Sequence, residues 1–188
     1  IGTDSDRALL LDFQATLEIK PEKAIKLEKD ALAQIENITA DNARLVSNIH
    51  ANLGGLYRMN SYPDLAREHM EKSISLLDQF NLLHINDSIP QIANYAMFLT
   101  EQQEPERGIS ELQKLSGIIK EYHSDDCLDY AKVQETLGTI YLMTANLPQA
   151  KTHFKRAFKI YEKIWADEPE MIEAKYQEIQ ELYPQIGF

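Results

Sequence analysis

The sequence repeats with a period of 42 residues, and this period constrains the fold more than any other feature. The segment Asn52–Tyr57 reads Asn-Leu-Gly-Gly-Leu-Tyr, and it returns at 136–141 as Thr-Leu-Gly-Thr-Ile-Tyr and more loosely at 94–99. The small residues of these segments are Gly54, Ala96 and Gly138, which are spaced by 42 residues. A fixed period of about 20 to 50 residues is typical of proteins built by stacking one supersecondary unit on the next.

A second helix is predicted to follow each segment. Small residues recur at a constant offset, as Ala24, Ala66, Gly108 and Ala150. Four residues later stand Glu28, Met70, Leu112 and Phe154, so three of the four repeats have an apolar side chain there. This spacing is that of one buried helical face. Pro21, Pro63, Pro105 and Pro148 precede these positions, where proline favours the first turn of a helix.

The pattern predicts four antiparallel helix hairpins and a final helix. We expect one domain over residues 1–188, with repeats at about 5–40, 44–82, 88–123 and 129–167 and a C-terminal helix at 170–183. The predicted first helices are 5–18, 44–59, 89–102 and 129–144, and the second helices are 22–37, 64–80, 106–122 and 149–166. Because Asp12 and Glu28 occupy small or apolar positions of the pattern, the first hairpin is expected to be displaced or to serve as a cap.

The two best-preserved repeats resemble the tetratricopeptide repeat. They read Leu53-Gly54-x-x-Tyr57 with Ala66, Met70 and Ser73, and Leu137-Gly138-x-x-Tyr141 with Ala150, Phe154 and Ala157. The 42-residue period, with Asn52 and Asn94 before the Leu-Gly-like pair, is similar to the kinesin-light-chain type. The resemblance implies an all-α, right-handed superhelical α-solenoid. Gly54 and Gly138 would permit close helix contacts, and Tyr57 and Tyr141 would fill the wider space one turn later.

The resemblance also implies a concave groove that binds a protein or peptide. Its positions correspond here to the candidates Asn48, Asn52, Gly55, Arg58, Asn94, Met97, Lys132, Thr139 and Met143. Asn52 and Asn94 are the sharpest candidates, because a carboxamide can both donate to and accept from a peptide backbone. Alternatively, they bond a neighbouring helix. Arg58 and Lys132 would hold a carboxylate, or else remain solvated.

Composition excludes several classes of partner and location. The net charge of −11, from 30 acidic and 19 basic residues, argues against nucleic acid or an anionic membrane as a ligand. No apolar run reaches the roughly 18 residues of a membrane-spanning helix. The single cysteine, Cys127, cannot form an internal disulfide, which favours a reducing, cytoplasmic location.

No pattern of residues indicates catalysis or a cofactor. The glycines form no phosphate loop, and no serine or cysteine has a base at a motif spacing, so we expect no enzyme activity. The densest cluster of potential metal ligands is His123, Asp125, Asp126 and Cys127. It lies in a predicted turn without a second ligand pair, so no metal site is expected.

We therefore predict a protein- or peptide-binding module of a larger regulatory or scaffolding protein. The chain begins at Ile1 and not at a methionine, so we expect a fragment. One alternative is a peptide-sensing domain of a signalling or transcriptional regulator. Another is a self-association module, giving a homo-oligomer through the flank of the last helix around Tyr176, Ile179 and Tyr183.

Overall fold

The protein is described by a computed structural model that covers residues 3–85, 88–184 and 186. Its helices are α1 (Asp4–Leu17), α2 (Pro21–Leu32), α3 (Ala43–Met59), α4 (Pro63–Gln79), α5 (Ser88–Glu101), α6 (Pro105–Tyr122), α7 (Leu128–Met143), α8 (Leu147–Ile164) and α9 (Pro169–Leu182). The described residues contain no β-strand. The predicted all-α helical repeat fold is confirmed.

The chain divides into two compact units, Ile1–Tyr95 and Ala96–Phe188, which we call the first and second units. In the first unit, α1 packs on α2, α2 on α3, and α3 on α4. In the second unit, α6 packs on α7, α7 on α8, and α8 on α9. That residues 1–188 form one domain stays a prediction, and its residues 1, 2, 86, 87, 185, 187 and 188 lie outside the described residues. Every helix within 3–85 and 88–184 is too short or too polar to span a bilayer.

All four hairpins keep the 42-residue period. The first helices end at Leu17, Met59, Glu101 and Met143, and the second helices begin at Pro21, Pro63, Pro105 and Leu147. Each series advances by 42 residues, so the first hairpin stays in register despite its irregular sequence. Most observed ends differ from the predicted ends by one or two residues, which is within the uncertainty of helix termini.

The predicted extent of the second helix, 22–37, is wrong at its C-terminal end, because α2 ends at Leu32. The amide of Ile35 bonds the Leu32 carbonyl at 3.0 Å, so the last turn tightens and the helix stops. The Asn42 side chain then accepts a bond from the Thr39 amide at 2.8 Å and donates one to the Asn37 carbonyl at 2.9 Å. These side-chain bonds turn the chain into α3.

The turns inside three hairpins share a left-handed residue. Ser61, Gln103 and Ala145 have φ of 62°, 66° and 58°, and they are 42 residues apart. After each of them, an amide bonds back to a carbonyl five residues earlier, as in Tyr62 to Tyr57 at 2.9 Å. This is the bond pattern of a Schellman motif. The first hairpin has the β-branched Ile19 at the equivalent position, where the left-handed region is disfavoured, and its turn instead has an extended Glu18.

Replacing Ala145 by glycine is expected to stabilise the fold. A left-handed φ costs an L-residue about 1 kcal/mol or more, and glycine removes this cost. Part of the gain is offset, because glycine also increases the conformational entropy of the unfolded chain. Urea unfolding of Ala145→Gly should show a gain of about 0.5 kcal/mol. The control Ala174→Gly, at an exposed helical position of α9, should lose about 1 kcal/mol. A loss of stability in both variants would contradict this interpretation of the turn.

Close helix contacts occur at the predicted small residues. A Cβ on Gly54 would lie 2.6 Å from Met70 Cγ, and one on Gly138 would lie 3.0 Å from the Phe154 ring. The predicted close approach at these two glycines is therefore confirmed. One turn later, Tyr57 stacks on His69 with centroids 5.4 Å apart. Tyr141 and His153 repeat this contact at 5.3 Å.

Gly108 makes the tightest backbone contact and gives a stability test. A Cβ there would lie 2.6 Å from the Ala96 carbonyl oxygen, a backbone atom that no side-chain rotation can move away. Gly108→Ala should therefore cost about 2 kcal/mol of unfolding free energy in urea titrations. On the same helix, a Cβ at Gly117 would meet nothing within 4 Å, so Gly117→Ala should be neutral or stabilising. Equal effects at the two glycines would show that the contact is not tight.

The flank of α9 that was predicted to be exposed is packed on α8, so its predicted exposure is wrong, and self-association stays a prediction. Ile179 is 2% exposed. The ring of Tyr176 stacks on Phe158 with centroids 4.1 Å apart, and the Tyr183 ring lies 6.0 Å from Phe154. Burial of these side chains explains why α9 remains attached after the last hairpin.

Candidate functional site

Two adjoining cavities of the first unit form the candidate site. One, of about 220 Å³, is lined by Ala51, Gly55, Arg58, Met59, Met70, Ser73, Gln91 and Asn94. The other, of about 420 Å³, is lined by Asp12, Thr16, Asn48, Ala51, Asn52, Pro90, Gln91 and Asn94. Because they share Ala51, Gln91 and Asn94, we treat them as one surface, the first-unit cleft. It brings together the predicted residues Asn48, Asn52, Gly55, Arg58 and Asn94.

Gln91 of α5 fixes the floor of this cleft. Its Oε1 accepts hydrogen bonds from Ser73 Oγ at 2.5 Å and Ser47 Oγ at 2.8 Å, which join α5 to α4 and α3. Its Nε2 donates to Asn48 Oδ1 at 2.6 Å. Both serines are buried, so these bonds satisfy polar groups that would otherwise cost stability. Gln91 is not among the predicted groove residues, because the groove positions carried over from the family do not include it.

Asn94 differs from the other carboxamides of the cleft because its side chain is exposed and forms no hydrogen bond to any described residue. It lines both cavities. A carboxamide in this state offers two donors and an acceptor to a ligand. Gly55 adds open space beside it, since a Cβ there would meet nothing within 4 Å.

Asn52 forms hydrogen bonds to neighbouring helices, which was the alternative prediction for this residue. Its Nδ2 donates to Asp12 Oδ1 of α1 and to Glu28 Oε1 of α2, each at 3.0 Å. Both protons of the amino group are therefore used within the protein. The Asn52 carbonyl oxygen forms no bond to a described residue, so only this atom remains for a ligand. Direct peptide binding by Asn52 stays a prediction.

Glu28 and Asp12 form a carboxyl pair. Asp12 lines the cleft, and Glu28 is buried behind it. Glu28 is 1% exposed, and its Oε2 has no hydrogen-bond partner in the described part of the chain. Burial, and then the charge of Asp12, raise the pKa of Glu28 to about 8. Burial also raises the pKa of Asp12. Near neutral pH, Glu28 therefore keeps its proton.

This pair makes the stability of the fold depend on pH. The pKa of Glu28 is higher in the folded chain, about 8, than its ordinary value of 4.5, so its contribution to stability is complete below 4.5 and is lost as the pH rises towards 8. Glu28→Gln keeps the neutral form at every pH. Between pH 5 and pH 8 in urea titrations, it should gain about 3 kcal/mol relative to wild type. Glu22→Gln, an exposed control on α2, should show no such trend. Parallel pH profiles for wild type and Glu28→Gln would contradict a protonated Glu28.

The predicted residues of the second unit are less concentrated. Lys132 lines a cavity of about 460 Å³, together with Leu128, Glu135, Thr136, Tyr161, Trp165, Met171, Ala174, Lys175 and Glu178. Met97, Thr139 and Met143 do not line this cavity. Their role in binding stays a prediction.

The wall of the second-unit cavity is cross-linked by internal bonds. Lys175 Nζ lies 2.8 Å from Glu135 Oε1, and the Tyr161 hydroxyl donates to Glu135 Oε2 at 2.6 Å. Burial, and then the negative charge of Glu135, raise the pKa of Tyr161 well above its ordinary value. Trp165 stacks on Tyr161 with centroids 4.8 Å apart. These side chains were not predicted, because groove residues were expected from first helices alone. Tyr161 belongs to α8, Trp165 caps that helix, and Lys175 belongs to α9.

The cluster around Cys127 forms a helix cap. Cys127 Sγ accepts the Tyr130 amide at 3.4 Å at the start of α7. Asp125 lies 3.8 Å from Lys120, and Asp126 pairs with Lys163. Within residues 3–85, 88–184 and 186, no three histidine, cysteine, aspartate or glutamate side chains are grouped to hold a metal ion.

Comparisons with known proteins show which proteins have a similar fold. Residues 88–163 match the family model described as tetratricopeptide repeat. BtubC (BKLC) from P. vanneervenii is 20% identical, with a TM-score of 0.70 over 84% of this chain and 62% of that chain. The second structure is that of nearly identical TPR-like repeats of a putative kinesin light chain from Podosopora anserina. Its sequence is 13% identical to this chain, and the TM-score is 0.67 over 78% of this chain and 69% of that chain. A search of curated proteins found no significant match. At these identities the likeness shows the fold alone, and this chain spans 62% of the length of BtubC.

Proposed function

We propose that this chain, which has the fold of tetratricopeptide repeats, is a protein-interaction module whose first-unit cleft binds an extended peptide segment of a partner. The tetratricopeptide repeat is a non-catalytic interaction fold, which supports binding over catalysis. We place the module in the cytoplasm, because its one cysteine, Cys127, favours a reducing compartment.

The observation that carries this proposal is the unbonded carboxamide of Asn94 where the two cavities meet. An extended peptide presents a backbone N–H and C=O at every residue, and a carboxamide can pair with both. Gln91 holds α5 in place through buried serines, so Asn94 is presented from a fixed helix. A ligand would therefore lose little affinity to rearrangement of the site.

The polarity of the cleft favours a peptide over a compact apolar ligand. Four of its lining residues are the carboxamides Asn48, Asn52, Gln91 and Asn94. Pockets for small molecules are mostly apolar with a few polar groups, whereas this lining is mostly polar at its larger end. Asp12 lines the larger cavity and Arg58 lines the smaller one, so a bound segment would meet opposite charges in the two cavities, which would orient it.

The same cleft would serve the alternative role of a peptide-sensing domain in a signalling or transcriptional regulator. That role requires an effector domain elsewhere in a longer protein. Self-association has less support, because the α9 flank predicted for it is packed on α8.

Peptide binding through Asn94 is testable without a known partner. Peptides are selected from a displayed random 12-residue library against the wild-type chain, and their affinities are measured by fluorescence anisotropy. Asn94→Ala should weaken the selected peptides about tenfold, since it removes two backbone hydrogen bonds. It should leave the circular dichroism spectrum unchanged, because the side chain bonds no described residue.

The matched control is Gln14→Ala, which removes an exposed carboxamide of the first unit that lies outside both cavities. It should bind the selected peptides as wild type does. A library that yields no binder, or binders equally tight for Asn94→Ala and wild type, would reject the proposed site.

A further inference from the structure

Among the described residues, Asp12 is the one charged side chain that lines the larger part of the first-unit cleft. No basic residue lines this part, and Asp12 forms no ion pair with a described residue. The carboxylate is half-buried, so it has lost part of its hydration without gaining a cation in exchange. Such a group favours a ligand that supplies the missing positive charge.

The neighbours of Asp12 fix the position of its carboxyl group. Asn52 Nδ2 donates one hydrogen bond to Asp12 Oδ1 and a second to Glu28 Oε1, each at 3.0 Å. Glu28 is buried behind the wall, and burial favours its neutral, protonated form. Of the two carboxyl groups, that of Asp12 lines the cleft and that of Glu28 does not, so the negative charge that the pair can present to a ligand lies at Asp12.

From this arrangement we propose that Asp12 is the recognition carboxylate for a cationic side chain, lysine or arginine, of a peptide bound in the first-unit cleft. This inference rests on the proposed peptide-binding function and adds the chemistry of the partner. Asn52 and Glu28 are positioning residues, because they act on the ligand through Asp12.

The groups around Asp12 suit a guanidinium or an ammonium. Thr16, Asn48 and Asn94 line the same part of the cleft and can each present an oxygen acceptor. Arginine has five donors and lysine has three, so either side chain can bond Asp12 and neighbouring oxygens together. A metal ion suits the site less well, since the described residues contain no group of three ligands.

The test uses peptide pools in which one position is fixed. Four pools of acetylated, amidated nine-residue peptides carry arginine, lysine, norleucine or glutamate at the centre and mixed neutral residues elsewhere. Affinities are measured by competition against a fluorescent peptide from the library selection. Wild type should prefer the arginine and lysine pools to the norleucine pool by about tenfold, and should bind the glutamate pool least.

Three variants separate the roles of the carboxyl groups. Asp12→Asn should erase the preference for a basic centre while keeping the norleucine affinity. Glu28→Gln should keep the preference, because a neutral glutamine stands in for the protonated acid. Asp30→Asn removes an exposed carboxylate of α2 outside the cleft and should behave as wild type. If Asp12→Asn fails to give the helical circular dichroism of wild type, Asp12→Ser replaces it.

The outcomes distinguish failure of this inference from failure of the peptide-binding function on which it rests. If no pool and no library peptide binds wild type, the peptide-binding function itself fails. If all four pools bind equally, or the preference survives in the Asp12 variants, the function stands and the recognition by Asp12 is overturned. Loss of the preference in Glu28→Gln would equally overturn it, since the recognising charge would then not reside on Asp12 alone.

Discussion

The fold depends on how closely the two helices of each hairpin approach. At every contact that a glycine permits, the partner is a fixed atom or a large side chain: Met70 opposite Gly54, the Ala96 backbone opposite Gly108, and Phe154 opposite Gly138. The glycine is on the first helix in two of these hairpins and on the second helix in the other. What the fold requires is a small combined volume at the contact, and either helix can provide it.

The turns preserve the register that these contacts need. First helices end and second helices begin at constant positions in the period, so each turn has the same length even where its backbone differs. Ser61, Gln103 and Ala145 accept a left-handed φ because the amide bond that follows each of them closes the helix end. Ile19 cannot follow them at low cost, and the first turn reaches the same length through an extended Glu18. Turn length is thus more constrained than turn conformation.

The sequence could predict the period and the hairpins, because these follow from residue spacing on helical faces. The resemblance to the family, and not the spacing, pointed to residues that line the first-unit cleft. It could not predict the early end of α2, which depends on the side-chain bonds of Asn42. Nor could it predict which carboxamides are occupied: Asn52 and Asn94 read alike in the pattern, yet one is bonded to two helices and the other to no described residue. That difference depends on what faces each of them, namely on Asp12 and Glu28.

Those two acids were visible in the sequence as irregularities, and the 42-residue period contained the information needed to pair them. Asp12 and Glu28 occupy the positions that Gly54 and Met70 occupy one repeat later, and those two residues are in contact. By equivalence, the acids had to meet as well. Replacing an apolar side chain in such a slot forfeits about 2 kcal/mol of burial, and ionising both acids there would cost more. The fold accommodates the pair by burying Glu28, which favours its protonated form, and by bonding both acids to Asn52, so that Asp12 alone of the two reaches the cleft.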